Sequence, residues 1–211
     1  LAAAGAPSSV RAASAALEVT PTVGWQWGGT LDYSAGGDVH ANAALNYGGT
    51  IGAMVRPGEW YELGYSYQAT DLIGRPPAAP NFKVFDLGTH YIQFAGGRNL
   101  MPASSGRAYP YVIGGVGMTI FSPGTPTVPL NPDTHTMFSA SLGGGVRVTV
   151  NERVDLRLQA RLLLPMNFTE GSFYFGSGGG AVSVSGGTIM AQGEATLGIT
   201  IKAAGSVTVT N

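Results

Sequence analysis

Alternation of apolar and polar side chains is the dominant pattern along the chain. Between Gly143 and Leu164, apolar residues alternate with polar ones from Val146 to Val150 and again from Val154 onward, with three polar residues between the two runs. A period of two is typical of β-strands, because successive side chains of a strand point to opposite faces. The segment therefore predicts two strands joined by a tight turn at 151–153.

The same period of two recurs along the rest of the chain, without a convincing helical period in any segment. The alternation loses its phase at 92–94, which we interpret as a β-bulge. Most of the predicted strands are longer than the about five or six residues that are usual in globular proteins. Eight strands are predicted, at about 17–27, 41–55, 60–69, 83–94, 108–121, 136–150, 153–164 and 188–202.

The connections between these strands differ in length in a regular way. Short turns follow the second and sixth strands, at 56–59 and 151–153, and the connection after the fourth, at 95–107, is of intermediate length. Long connections rich in Gly, Pro, Ser and Asn follow the first, third, fifth and seventh strands, at 28–40, 70–82, 122–135 and 165–187. Antiparallel membrane barrels alternate short periplasmic turns with long outer loops in this manner.

Composition bears on which face of the strands meets water. Charged residues make up 11% of the 211 residues, against about 25% in soluble domains. The hydrophobic content of 44% is ordinary, and no apolar run approaches the roughly 18 residues of a transmembrane helix.

The absence of Cys excludes a disulfide scaffold and a Cys-ligated metal. The net charge of −1 does not favour nucleic acid as a partner.

The polar faces of the predicted strands carry mostly small uncharged residues. A soluble barrel would expose abundant Lys, Glu, Arg and Asp there, whereas small polar side chains suit the narrow interior of an eight-stranded barrel. The few charges on these faces have both signs, and buried charges must pair. We therefore predict an interior polar network formed by Glu18, Glu62, Asp86, His90, Arg147, Asp155, Arg157, Arg161 and Glu194.

Aromatic residues concentrate near both ends of the predicted strands. Two aromatic belts that flank an aliphatic band are typical of barrels that span a bilayer, although the same residues could form the core of a soluble β-sandwich. Together with the charge and loop patterns, they favour an all-β fold, an eight-stranded antiparallel up-and-down transmembrane β-barrel. We assign to the belts Trp25, Trp27, Trp60, Tyr61, Tyr65, Tyr67, Tyr91, Tyr109 and Tyr111.

Three segments carry a resemblance to the small OmpA/OmpX-like outer-membrane β-barrel family: AYPYVIGGVGMTIF at 108–121, the hairpin at 143–164, and TIMAQGEATLGITIK at 188–202. The likeness covers about residues 17–202 and lies in the pattern, without a strict motif. It implies a barrel in a bacterial outer membrane of the Gram-negative type. One departure is that such barrels commonly end at an aromatic residue, whereas this chain runs on to Asn211.

The two ends of the chain lack the strand pattern. Residues 1–16 are small and Ala-rich, with an A-x-A cleavage pattern at Ala13 to Ala15, and are either a signal-peptide remnant or a flexible N-terminal tail. Residues 203–211 are expected to be a C-terminal periplasmic extension. The barrel is assigned to 17–202.

Candidate chemistry is sparse. The three histidines, His40, His90 and His135, do not have the spacing of a metal site, and no Ser-His-acid arrangement can be assigned. We expect no catalytic residues, no metal and no cofactor, and interpret His90 as an interior hydrogen-bonding residue. An aromatic cluster in the last long loop either contacts a partner or lipid, or packs over the barrel mouth; it comprises Phe168, Phe173, Tyr174 and Phe175.

These features predict a structural or interaction role, which includes envelope anchoring, loop-mediated adhesion and membership of a larger envelope complex. Expected partners are outer-membrane lipid or lipopolysaccharide and envelope proteins, with no nucleic acid. A small-solute channel is the alternative, and a lipid-modifying outer-membrane enzyme that uses His90 is the third candidate.

Overall fold

A computed structural model describes residues 16–32, 38–75, 80–101, 106–126, 134–167, 171–176, 179–184 and 188–203. Most of the proposed N-terminal tail, the proposed C-terminal extension beyond residue 203, and Phe168 lie outside the described residues. In chain order the strands are β1 (Ala16–Gly28), β2 (Thr30–Asp32), β3 (Asp38–Ala41), β4 (Ala44–Arg56), β5 (Glu59–Arg75), β6 (Phe82–Asn99), β7 (Ala108–Pro126), β8 (His135–Asn151), β9 (Val154–Asn167), β10 (Gly171–Gly176), β11 (Gly179–Val184), β12 (Thr188–Ile189) and β13 (Gln192–Lys202).

Eight of these strands form a closed antiparallel ring. β1 pairs on one side with β4, where Trp25 lies opposite Leu45, and on the other side with β13, where Trp25 lies opposite Ala195. The ring runs β1, β4, β5, β6, β7, β8, β9, β13 and back to β1. The predicted all-β, eight-stranded antiparallel barrel is confirmed.

Both ends of the ring match the predicted alternation of connections. Turns at 57–58 and 152–153 lie at one end, which we call the short-turn end, together with the start of β1 and the end of β13. There the amide of Ala203 donates to the carbonyl of Leu17 at 2.8 Å. At the opposite end, which we call the loop end, the sheet extends further than predicted. There β5 continues to Arg75 and pairs with β3, a strand within the first long connection.

The outer wall of the ring is aliphatic. Leu142, Leu45 and Leu158 are 67%, 61% and 59% exposed, respectively, whereas their neighbours along each strand face the interior. In water so large a band of exposed apolar side chains would be unfavourable, but it is the surface that a transmembrane barrel presents to acyl chains. The buried interior is largely polar, with Glu18, Arg157 and other charged or amide side chains at most 6% exposed.

β6 has the opposite phase to the one predicted for its first half. Tyr91 and Gln93 face the interior, whereas His90 shares the outer face with Ile92 and Phe94. The irregularities in the pairing of β6 lie between Lys83 and Leu87, and not at 92–94 as the prediction placed them. The predictions that Asp86 and His90 belong to the interior network are therefore wrong.

Candidate functional site

An apolar cluster lies in the barrel interior at the loop end. Leu87, Phe121 and Met190 are buried there with Ala41. The partly buried side chains of β5, β6 and β8 that pack against this cluster are Leu72, Phe85 and Met137. These side chains pack against one another just below the loops, so the interior is apolar at this level.

Below the cluster, amide and phenol side chains cross the interior. Gln26 donates through Nε2 to Gln192 Oε1 at 3.0 Å, and the hydroxyl of Tyr91 donates to the same oxygen. Gln68 Nε2 donates to the carbonyl of Gln26 at 3.0 Å. Tyr91 on β6 and Gln192 on β13 stand on opposite sides of the ring, with three strands between them in either direction. This hydrogen bond therefore spans the lumen.

Glu194 is the next charged group along the interior. Its Oε2 lies 2.6 Å from Arg161 Nη2 and accepts a hydrogen bond from Arg161 Nε at 2.7 Å. Its other oxygen accepts a hydrogen bond from the amide of Asn46. Both oxygens of this buried carboxylate are thus occupied, as a buried charge requires.

Glu62 and Arg157 form a two-bond ion pair further toward the short-turn end. Arg157 Nη1 lies 2.6 Å from Glu62 Oε2, and Nη2 lies 3.0 Å from Oε1. Trp60 Nε1 donates to Glu62 Oε2 at 2.9 Å, and Arg157 Nε donates to the Tyr111 hydroxyl at 2.9 Å. Paired bonds of this kind are among the stronger hydrogen bonds in proteins.

A third charged group, a cluster of four side chains, lies nearest the short-turn end. Arg147 Nη1 is 3.0 Å from Glu18 Oε2 and 3.8 Å from Asp155 Oδ2. Lys202 Nζ is 2.8 Å from the same Asp155 oxygen. The guanidinium of Arg147 also lies 4.7 Å from the ring centre of Trp60, which is a cation–π contact. Two cations and two carboxylates leave this cluster without net charge.

A cavity of about 20 Å³ lies between the Glu194 and Glu62 levels. Its lining includes Ser66 and Gln93, whose Oγ and Oε1 atoms are buried without a hydrogen-bond partner in the protein. This volume is about that of one or two water probes. A bound water would satisfy the two unpartnered oxygens.

Comparison with known proteins assigns this architecture to a family. The family model described as outer membrane protein beta-barrel domain matches residues 1–200. The chain belongs to this family. It is therefore a barrel of the outer membrane of Gram-negative bacteria, and the predicted resemblance and location are confirmed. No curated protein matches the chain.

Solved structures of other outer-membrane barrels share the fold. Neisserial surface protein A, NspA, is 16% identical with a TM-score of 0.55, over 89% of this chain and 97% of that one. OprG from Pseudomonas aeruginosa is 10% identical with a TM-score of 0.63, over 92% and 98%. AlkL, solved in lipid bilayers, is 14% identical with a TM-score of 0.53, over 98% and 100%. At these identities the likeness concerns the fold alone.

The structure of this outer-membrane barrel places seven of the nine predicted network residues in the interior, where they form the three charged groups above. Only Asp86 and His90 lie elsewhere. Sequence reasoning missed the uncharged members Gln26, Gln68 and Gln192, because an isolated Gln on a polar face is equally common on a water-exposed surface. Their common signal is a strand position in phase with an interior charge, such as Gln192 with Glu194.

Three residues assigned to the aromatic belts lie inside the barrel instead. Trp60, Tyr91 and Tyr111 are 2%, 2% and 1% exposed. Their polar atoms find interior partners, which is the usual requirement for a buried Trp or Tyr. Glycines make room for two of them: a Cβ at Gly97 would lie 2.3 Å from the Trp60 ring, and one at Gly145 would lie 2.7 Å from the Tyr111 hydroxyl.

The remaining belt residues divide by exposure. Trp25, Trp27, Tyr61 and Tyr65 are 46% to 51% exposed on the outer wall. Tyr67 is half-buried on the outer wall, where its ring contacts His90 with centres 4.7 Å apart. Tyr109 is half-buried near the short-turn end. Their placement leaves an aromatic rim on the lipid-facing surface that is sparser than predicted.

His90 lies on the outer wall among tyrosines. Its Nδ1 is 2.9 Å from the Tyr65 hydroxyl. His135 is exposed at the start of β8, and the backbone of His40 pairs with Ile73. Within the described ranges, no three residues of the His, Cys, Asp and Glu types are grouped so as to hold a metal ion. Nor does any helix there have the length and apolarity needed to cross a membrane.

The predicted loop contact residues are only partly described. Phe173, Tyr174 and Phe175 belong to β10, which pairs with β11 in a hairpin separate from the barrel sheet. Phe173 lies opposite Val182 and Phe175 opposite Gly180. The hairpin falls within the connection between β9 and β13, and so belongs to the loop end.

Proposed function

We propose that this outer-membrane barrel is a structural and interaction protein that does not conduct solutes. The observation that carries the proposal is the direct contact of side chains across the lumen at two levels, between Tyr91 and Gln192 and between Glu62 and Arg157. The apolar cluster at the loop end adds a third level of packing. A solute-conducting path would have to break all three.

The charges within the lumen also favour a sealed barrel. In a water-filled channel, lining charges remain hydrated, whereas Glu62, Arg157 and Glu194 are at most 3% exposed. Glu62 pairs directly with Arg157, and Glu194 pairs directly with Arg161. Removing such groups from water is costly, and their mutual pairing offsets that cost only while the pairs stay closed. The same pairs that seal the lumen therefore also fix the shape of the barrel.

Planar-bilayer recording tests the sealed lumen. The folded protein, whose insertion is checked by heat-modifiable migration and vesicle flotation, should give no discrete openings. The small-solute channel is the competing function, and it predicts openings whose ion selectivity depends on lumen charge. Arg157→Ala should then change the selectivity, whereas Arg153→Ala, at an exposed turn, should not. Openings with this dependence would contradict the proposal.

The interaction role is assigned to the loop end. In the part of the chain that the structure describes, the β10–β11 hairpin pairs with itself and not with the barrel sheet, so we expect it to add little to barrel closure. Replacing 171–184 with a short Gly/Ser linker should leave the heat-modifiable barrel intact. Chemical cross-linking in native outer membranes should then lose the adducts that the full chain forms. An unchanged adduct pattern would place any partner contact elsewhere.

A further inference from the structure

A groove of about 370 Å³ runs along the outer wall in the half nearest the short turns. Its floor contains Gly96 and Gly114, which lie directly opposite each other on β6 and β7. A Cβ at Gly114 would meet only the Ser141 carbonyl at 3.7 Å and a Leu142 methyl at 3.8 Å. The floor is therefore open above Gly114, whereas the Tyr61 ring covers Gly96, where a Cβ would lie 3.1 Å from that ring.

The sides of the groove are apolar and exposed. They include Val55, Tyr61, Val112 and Leu142, which are between 42% and 67% exposed. All four lie on the lipid-facing wall of the barrel. The shape and chemistry of the groove suit a hydrocarbon chain, because it is concave, apolar and bounded by branched and aromatic side chains.

The end of the groove at the short turns is positively charged. Arg98 and Glu59 line it, and both also line a neighbouring pocket of about 440 Å³ that includes Leu100 and Met101. Arg98 Nε is 3.6 Å from one Glu59 oxygen and Arg56 Nη1 is 3.7 Å from the other. Two guanidinium groups around one carboxylate leave a net charge of +1. Both arginine side chains are largely exposed, at 74% and 78%.

We propose that this groove binds one glycerophospholipid of the periplasmic leaflet. An acyl chain lies over Gly114 and along the Tyr61 ring, and the phosphodiester lies beside Arg98 and Arg56 at the membrane surface. Guanidinium groups match the geometry and charge of phosphate oxygens. Charge complementarity at the one end and apolar surface along the rest select an anionic amphiphile. This inference concerns the outer wall and does not depend on whether the lumen is sealed.

A second copy of the barrel fits the groove less well than a lipid. A symmetric contact between two such walls would bring the same +1 cluster from each copy together. It would also place two concave surfaces face to face, which leaves the glycine floor unfilled. A single lipid chain fills the floor and neutralises the arginines at the same time.

Native mass spectrometry of the delipidated full chain, titrated with phosphatidylglycerol, tests the proposal. One lipid should remain bound. Arg98→Gln should weaken its binding about tenfold, the effect of one charge-assisted hydrogen bond. Arg153→Gln, the same charge change at another short turn, should leave binding within about twofold. Diacylglycerol with the same acyl chains should bind Arg98→Gln and the wild type equally.

Filling the floor tests the acyl-chain part independently. Gly114→Leu should abolish the single retained lipid, whereas Ala195→Leu, on the lipid-facing wall of β13, should retain it. Heat-modifiable migration shows whether each variant is folded. If Gly114→Leu does not fold, Arg98→Gln still tests the proposal. Equal lipid binding by Arg98→Gln and Arg153→Gln would overturn the proposal. The proposal would also be overturned if the wild type formed a dimer without bound lipid and Gly114→Leu abolished this dimer.

Discussion

Glu62 and Arg157 face each other across the full width of the barrel. They stand on β5 and β9, which have three strands between them in either direction around the ring, and their side chains meet through contacts of 2.6 Å and 3.0 Å. Both side chains are almost completely buried, at 3% and 4% exposed. The pair therefore ties opposite walls together in a place where neither charge can be hydrated.

Removing one partner of this pair should cost much more stability than removing both. Glu62→Leu or Arg157→Met leaves an uncompensated buried charge, which should lower the free energy of unfolding by about 3–5 kcal/mol. The double variant leaves no buried charge at this site and should lose far less. Urea unfolding in lipid vesicles, followed by tryptophan fluorescence, measures these differences.

The exposed pair at the short turn provides the control. Glu59→Leu and Arg56→Met change the same residue types where the arginine is 78% exposed, so each should change stability by at most about 1 kcal/mol. If the single variants at Glu62 and Arg157 behaved like this control pair, the cross-lumen contact would not stabilise the barrel.

The sequence predicts the strands and their outer faces well, because the aliphatic alternation has a single physical cause, contact with lipid. It fails where both faces of a strand carry similar residues. In β6, apolar and aromatic residues stand on both faces, Leu87 and Tyr91 on one and Ile92 and Phe94 on the other, so the alternation alone cannot tell which set faces the interior. Small residues around the interior decide it: Tyr91 lies opposite Ser66 on β5 and Thr119 on β7.

The misplaced aromatics have a related cause. An aromatic residue near a strand end fits either a membrane belt or a space that an interior glycine leaves open. Trp60 occupies the space beside Gly97, and this glycine is distant in sequence, so the complementarity becomes visible only once the register of β5 and β6 is fixed. Pairing distances across the lumen, such as Glu62 to Arg157, likewise depend on the ring closing with eight strands.

Removing the imidazole of His90 should not alter lipid A. His90 faces the lipid, and its Nδ1 lies 2.9 Å from the Tyr65 hydroxyl. This contact does not supply the carboxylate that orients the histidine of a hydrolytic triad. Mass spectra of lipid A should be the same for cells with the wild type, with His90→Ala and without the protein. A modification seen with the wild type and lost in His90→Ala would identify an enzyme.

An ion-pair cluster at the loop-end rim should hold β5 and β6 together over a wide pH range. Lys83 Nζ lies 2.8 Å from Asp71 and 2.7 Å from Asp86. Hydrogen bonds from Lys83 to Asp71 and Asp86 raise the pKa of Lys83 above its usual range, and Lys83 lowers the pKa of Asp86. A carboxyl group with a lowered pKa stabilises the folded protein at pH values above its usual pKa of about 4. An amine with a raised pKa stabilises the folded protein at pH values below its usual pKa of about 10.4.

The stabilising effect should therefore be constant between these limits and decline as the pH falls through the lowered pKa of Asp86. Amide hydrogen exchange at Ile73 and Gly74, which pair with Lys83 and Phe82, should stay slow in the constant range after correction for intrinsic rates. The exchange rate of these amides should rise in stronger acid. Lys83→Met should exchange faster throughout and lose the acid-dependent step; if the variant kept that step, the rim cluster would not be its cause.

A charge on the outer wall should destabilise the barrel only when the wall is in lipid. Leu158 is 59% exposed near the middle of the lipid-facing part of β9, between the interior residues Arg157 and Gln159. Leu158→Arg should cost about 2–4 kcal/mol in vesicles, as lipid-facing arginines do near the bilayer midplane. Glu152→Arg, at the exposed turn that precedes the strand, should stay within about 0.5 kcal/mol. A water-facing wall would instead tolerate both substitutions equally and would let the Leu158→Arg protein stay dissolved without detergent.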